Sequence, residues 1–309
     1  MNNNLPHFIL AGSPKCGSTS LYYYLAEHPD IYMSPQKEIH YFTFDILNAL
    51  DQGPNDKRVN AFHIGNYEDY INQFKQAKPS QIIGEVSPSY VNYPETTIPK
   101  IKKHLGDPKI IMLIRDPIKR AYSNYLHLLR EDREKLSFYD ALLEEEARMK
   151  NKYSDFWYYR FNSMYYEKIK KFDEAFDRML IITTENLNEN PKAVMKSIYK
   201  FLGVDYNFDP KSINEKYNPG GLYKSNLITK FFFRQSRLRS VIKRLMPITP
   251  GMKKIKLKMI KKFKEKTPDI DPKAEEFLVK HFKKDVENLK KNFDIDLSLW
   301  NIKYTTSNE

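Results

Sequence analysis

Short apolar runs alternate along this chain with longer stretches in which apolar side chains return every three or four residues. The runs 8–11, 82–85, 109–114 and 179–184 are too short for helices and show little polar alternation. They predict strands buried on both faces. The helical period predicts helices over 18–28, 94–104, 117–130, 138–150, 164–176, 191–202, 226–245 and 272–292. Asp116-Pro117 and Asn190-Pro191 each place a capping residue before a proline suited to the first helical turn. Apolar strands separated by helices argue for an α/β fold, a central parallel sheet flanked by helices. Residues 44–71 carry Gly, Pro, Asn and Asp clusters and weak periodicity, which predicts a long loop with one short helix. No linker interrupts the 309 residues. The expectation is a single domain, with a core over about 7–225 and a basic helical part over about 226–309.

Charge changes this picture locally. The chain carries +12, and 15 of its 51 Lys and Arg residues fall within 216–264, where no Asp or Glu occurs. That segment implies an anionic partner and is a candidate for peripheral contact with an anionic membrane or polymer through 226–264. The helix at 226–245 fits this as an amphipathic basic helix, or as a helix docked on the domain with a solvated face. One cysteine, Cys16, excludes an intrachain disulfide and fits a reducing compartment. Residues 1–7 lack a charged and then apolar leader pattern, and no run approaches 18 apolar residues. A cytoplasmic location is expected.

Three segments carry candidate chemistry. After the first strand comes Gly12-Ser-Pro-Lys-Cys-Gly-Ser-Thr-Ser20, a glycine-bracketed turn running into a helix start. Such a turn aims free backbone N–H groups at a phosphate. It nearly matches G-x-x-x-x-G-K-[ST], but Ser18 holds the lysine position and the lysine lies inside the loop as Lys15. The loop is P-loop-like without the usual grip on a β/γ-phosphate. In the second segment, 110–123, a buried strand delivers Arg115 to its carboxyl end and a helix then carries Ser123. Arg115 there suits a second phosphate, or else pairs with an acid such as Asp116. The third is Pro35-Gln-Lys-Glu-Ile-His-Tyr-Phe42. If extended, it puts Glu38 and His40 on one face, as a general base needs or as an ordinary polar strand face would have. The aromatics of 153–166 suit either an acceptor cleft or the core, and His7, His28, His63, His104, His127 and His281 need no function. No His/Cys/Asp cluster has metal-ligand spacing, so no metal is expected.

Read together, Lys-Cys-Gly-Ser-Thr-Ser-Leu21, Lys-Glu-x-His-Tyr-Phe42 and Leu-Ile-Arg-Asp-Pro-x-x-Arg-Ala-x-Ser123 resemble the sulfotransferases that use 3′-phosphoadenosine 5′-phosphosulfate (PAPS). The likeness is to the heparan-sulfate-type branch and its bacterial relatives. It runs on through Gly84-Glu-Val-Ser-Pro-Ser-Tyr90, Ile182-Thr-Thr-Glu-Asn-Leu187 and Phe201-Leu-Gly203, covering about 7–225. The resemblance implies a sulfotransferase that moves a sulfuryl group from PAPS to a hydroxyl or amine acceptor, a glycan or a small molecule. It implies that Lys15, Cys16, Gly17, Ser18, Thr19 and Ser20 bind the 5′-phosphosulfate, with Lys15 also catalytic. Arg115 and Ser123 would bind the 3′-phosphate, and Lys224 would contact a phosphate. Glu38 would be the general base with His40 beside it. In the eukaryotic enzymes a lysine follows the glutamate equivalent to Glu85; here Val86 stands in that place. A P-loop kinase or NTPase, or a basic module binding anionic surfaces, are the alternatives. Nucleic acid is not an expected partner.

Overall fold

Five strands form one parallel sheet in the order β2-β3-β1-β4-β5, where β1 is Phe8–Gly12, β2 Ile31–Met33, β3 Ile82–Val86, β4 Lys109–Ile114 and β5 Met179–Thr183. They belong to a computed structural model that describes residues 4–215, 217, 220–223, 263–300 and 304. Alternate side chains of each apolar strand serve opposite faces. Phe8, Leu10, Ile111 and Leu113 pack with Leu21 and Leu25 of α1 (Ser18–Ala26) and with Met195, Ile198 and Leu202. Ile9, Ala11, Ile110 and Met112 face the other way, onto Tyr70, Phe74, Ile101 and Phe172. Burial on both faces is why the strands read as unbroken apolar runs.

The helices α2 (Pro94–Leu105), α3 (Pro117–Arg130), α4 (Tyr166–Ala175), α5 (Thr184–Glu189), α6 (Pro191–Leu202) and α7 (Pro272–Asn292) complete the layers that matter here. Asp116 caps α3 by accepting from the N–H groups of Ile118 and Lys119. The expected single α/β core with a central parallel sheet is present.

Several local expectations change. The three-residue edge strand β2 is too short to register as a pattern. The helix expected over 138–150 is two, Phe138–Leu143 and Glu145–Lys150. Residues 44–71 hold three short helices, Phe44–Asn48, Asp56–Asn60 and Tyr67–Asn72, rather than one. The buried Asp56 carboxylate organises this region. It accepts from the N–H of Gly53 at 2.8 Å, of Ser154 at 2.7 Å and from Trp157 Nε1 at 3.1 Å, and pairs with Arg133. A buried carboxylate satisfied by three donors and a guanidinium ties the loop down firmly. Of the aromatics in 153–166, Trp157, Tyr158, Tyr159 and Tyr165 are core residues, whereas Phe156 lines the open cleft. Most of the basic segment, including the helix expected over 226–245, lies outside the described residues.

Candidate active site

The topology places two loops side by side. From β1 the chain passes to β2 and β3 on one side, and β4 pairs with β1 on the other. This is a switch point, where open α/β sheets bind ligands beyond the strands' carboxyl ends. The loop after β1 carries Lys15 and the residue after β4 is Arg115, so neighbouring strands deliver both to one cleft.

The turn itself is shaped for an anion. Gly17 takes φ 96°, a left-handed conformation that favours glycine. As N-cap of α1 it offers no side chain, and the first N–H groups of that helix are left for a ligand. Ser13 N–H donates to Leu113 O at 2.6 Å, and Thr184 Oγ1 donates to Cys16 O at 2.6 Å, fastening the turn to β4 and α5. A substituent on Gly12 would meet Val91 Cγ1 at 2.4 Å, so that position must be bare for the loop to sit this close to β3's following turn.

A cavity of about 960 Å³ opens over this point. Lys15, Gly17, Ser18, Thr19, Ser20, Glu38, His40, Arg115 and Ser123 all line it. Cys16 does not: its side chain is buried in the core, with Sγ 4.0 Å from the Tyr165 hydroxyl, so only its main chain faces the loop. Lys224 lies outside the described residues. Nearby, Tyr223 bridges to Lys264, and Glu265 N–H donates to Leu222 O at 2.9 Å, so these short stretches border the cavity with Gly220 and Gly221.

Segment 35–42 is not the extended strand expected from its pattern. Glu38 and His40 have φ 64° and 57°, both left-handed, with Ile39 buried between them. Two tight turns, not strand alternation, bring the carboxyl and the imidazole to the same cavity. Glu38 N–H donates to Val86 O at 2.9 Å, extending the β3 pairing past β2. His40 Nδ1 lies 2.7 Å from Ser89 Oγ, which in turn bonds Thr43 Oγ1.

The electrostatics assign protonation states. Burial, with Arg130 next, pushes the Lys15 ammonium down to about 7. Burial alone would raise Glu38, but Lys37, His40 and Lys15 together bring its carboxyl down to about 2. Burial and the adjacent His63 ring push His40 down to about 3, so it is neutral at ordinary pH. The site thus holds an ionised carboxylate, a neutral imidazole and a lysine poised near neutrality. The Asp116 carboxylate, the sequence alternative as a partner for Arg115, is engaged in capping α3.

Some cavity residues escaped the sequence reading. Lys119, His127 and Arg130 share one face of α3 with Ser123, at spacings of four, four and seven residues. That spacing was a usable signal once Ser123 was singled out. His63 and His127, read as functionless, both line the cavity. Lys37 also lines it, next to Glu38 in sequence. Among the described residues no group of three or more His, Cys, Asp or Glu side chains is arranged to hold a metal.

Comparison with known proteins agrees with this geometry. Residues 6–209 match the model of the "Sulfotransferase family". The membrane-associated sulfotransferase kil1 of Dictyostelium discoideum is 35% identical over 121 residues, covering 39% of this chain and 22% of that protein. The human bifunctional heparan sulfate N-deacetylase/N-sulfotransferase 3 is 28% identical over 228 residues, covering 67% of this chain and 23% of that protein. The chain therefore spans about a quarter of the length of these curated relatives. A solved sulfotransferase from Alicyclobacillus acidocaldarius superposes with a TM-score of 0.73 at 28% identity, covering 96% of this chain and 98% of that one. With residues 6–209 matching the family model and the turn after β1, Arg115 and Glu38 facing one cleft, the chain belongs to the sulfotransferase family.

Proposed function

We propose that this protein transfers a sulfuryl group from PAPS to a hydroxyl or amine acceptor. The observation that carries the reading is that neighbouring strands β1 and β4 deliver Lys15 and Arg115 to one cavity, with Glu38 on its wall. The donor set fits a nucleotide phosphorylated at both ends. The uncapped start of α1, the hydroxyls of Ser18, Thr19 and Ser20, and Lys15 suit the 5′-phosphosulfate. Arg115 and Ser123 suit the 3′-phosphate. When sulfuryl departs, Lys15 and the loop N–H groups receive the charge left on the bridging oxygen. Preorganised donors of this kind are worth roughly 3–4 kcal/mol each. Glu38 takes the acceptor's proton, and His40, neutral and held by Ser89, fixes the wall beside it.

A glycan is the acceptor class we favour. Phe62 is 64% exposed at the cavity rim beside His63 and Asn60, and an open aromatic face suits stacking on a sugar ring. The heparan sulfate N-sulfotransferase named above acts on such a polymer. A cytoplasmic location belongs to the same reading and rests on the single, fully buried cysteine.

The test begins with thermal stabilisation by adenosine 3′,5′-bisphosphate. It continues with a mass-spectrometric search of acceptor pools for products heavier by one SO3. Glu38→Gln is expected to abolish transfer and leave bisphosphate binding intact. Equal loss of binding and transfer would make Glu38 structural and remove it from the mechanism.

A further inference from the structure

Lys37 lies where loop, base and transferred group have to meet. Its Nζ is 3.4 Å from Ser18 Oγ at the start of α1, and it pairs with the Glu38 carboxylate. The side chain is only 17% exposed and lines the same cavity as Lys15 and Arg115. No cation comes from the end of β3, where Val86 is apolar and fully buried. One ammonium thus stands between two places for negative charge, the Glu38 carboxylate and the anion site at α1. It cannot fully neutralise both, and a base held in an ion pair is a poor proton acceptor.

We propose that Lys37 exchanges partners during the reaction. It pairs with Glu38 in the nucleotide-free protein and moves to the sulfuryl oxygens once the phosphosulfate is seated at α1. Glu38 is thereby released to take the acceptor's proton. This rests on the sulfotransferase reading above. In the step itself the acceptor oxygen or nitrogen forms its bond to sulfur as the bond from sulfur to the bridging oxygen breaks. The electron pair leaves on the 5′-phosphate oxygen, and the acceptor proton ends on Glu38. Lys37 follows the charge of the transferring group, and an acceptor that arrives before the donor meets a blocked base.

Calorimetric titration of the full chain with PAPS and with adenosine 3′,5′-bisphosphate tests this without an acceptor. Lys37→Met is expected to weaken phosphosulfate binding about tenfold and to change bisphosphate binding less than about twofold. Lys37→Arg is expected to recover most of the loss. Glu38→Gln frees the lysine in advance, so it is expected to tighten phosphosulfate binding about threefold or more, and to do nothing in the Lys37→Met background. Equal weakening of both nucleotides, or no change in either, overturns the proposal. So does tightening by Glu38→Gln that persists without Lys37, since that would be simple charge repulsion. A wild-type protein that binds neither nucleotide overturns the parent reading instead.

Discussion

Lys15 is where a single residue's chemistry is most exposed to experiment. Its ammonium must be charged to hold an anion, and burial with Arg130 nearby brings it down to about 7. Below that pH the lysine is already protonated and affinity for the bisphosphate is set by contacts alone. Above it, binding has to take up a proton, so affinity falls by up to about tenfold per pH unit. Calorimetry of bisphosphate binding across this range, in buffers of differing ionisation enthalpy, is expected to show both the decline and the proton uptake. Lys15→Met is expected to bind weakly with no such slope; a flat wild-type profile would show that Lys15 does not contact the phosphate. Lys15 and Arg115 were legible because each sits at a strand end, a local feature that spacing reports. Lys37 was not. Its place depends on left-handed turns at Glu38 and His40, which local pattern does not report.

At the scale of elements, α7 shows what the periodic pattern can and cannot say. Its bounds and its inward apolar stripe were legible, and its charged opposite face lies at the surface; what the stripe meets was not legible. Ala274, Leu278, Phe282, Val286 and Leu289 are buried against the core, and the Asp285 carboxylate accepts from the N–H groups of Tyr165 and Tyr166 at the start of α4. Phe282→Ala is expected to cost about 3–5 kcal/mol, read as a lower melting temperature, while the folded fraction still binds the bisphosphate. Loss of less than about 1 kcal/mol would mean that α7 packs only loosely. The misread elements share one cause. β2 and the short helices of 44–71 are held by tertiary contacts such as the Asp56 carboxylate, and fragments of three to six residues carry too little periodicity to stand out as a pattern.

The whole molecule carries one pH-dependent weakness in its sheet. Glu85, on β3, is fully buried beside Tyr70 and Tyr90, and its oxygens make no hydrogen bond of normal geometry. Burial pushes its carboxyl up to about 8 from an ordinary 4.5. The folded chain keeps this proton over a range in which the unfolded chain has lost it. Stability is therefore complete below the ordinary value and declines as pH rises toward 8. Glu85→Gln is expected to flatten that decline and to raise stability near neutral pH by roughly 1–3 kcal/mol in urea unfolding. An unchanged pH profile would contradict it. The parallel sheet was readable from the apolar runs, and so were the strand ends that carry Lys15 and Arg115; the strand order that makes β1 and β4 neighbours, on which the functional account rests, came from the structure. The meeting of Lys15 and Arg115 is tested most directly by titrating the full chain, without Mg²⁺, with adenosine 3′,5′-bisphosphate and with adenosine 5′-phosphate, for wild type and Arg115→Ala. The account predicts that wild type prefers the bisphosphate, and that Arg115→Ala loses roughly ten- to hundredfold for it with little change for the monophosphate. Equal affinity of wild type for the two nucleotides, or an equal loss for both in the variant, would contradict it.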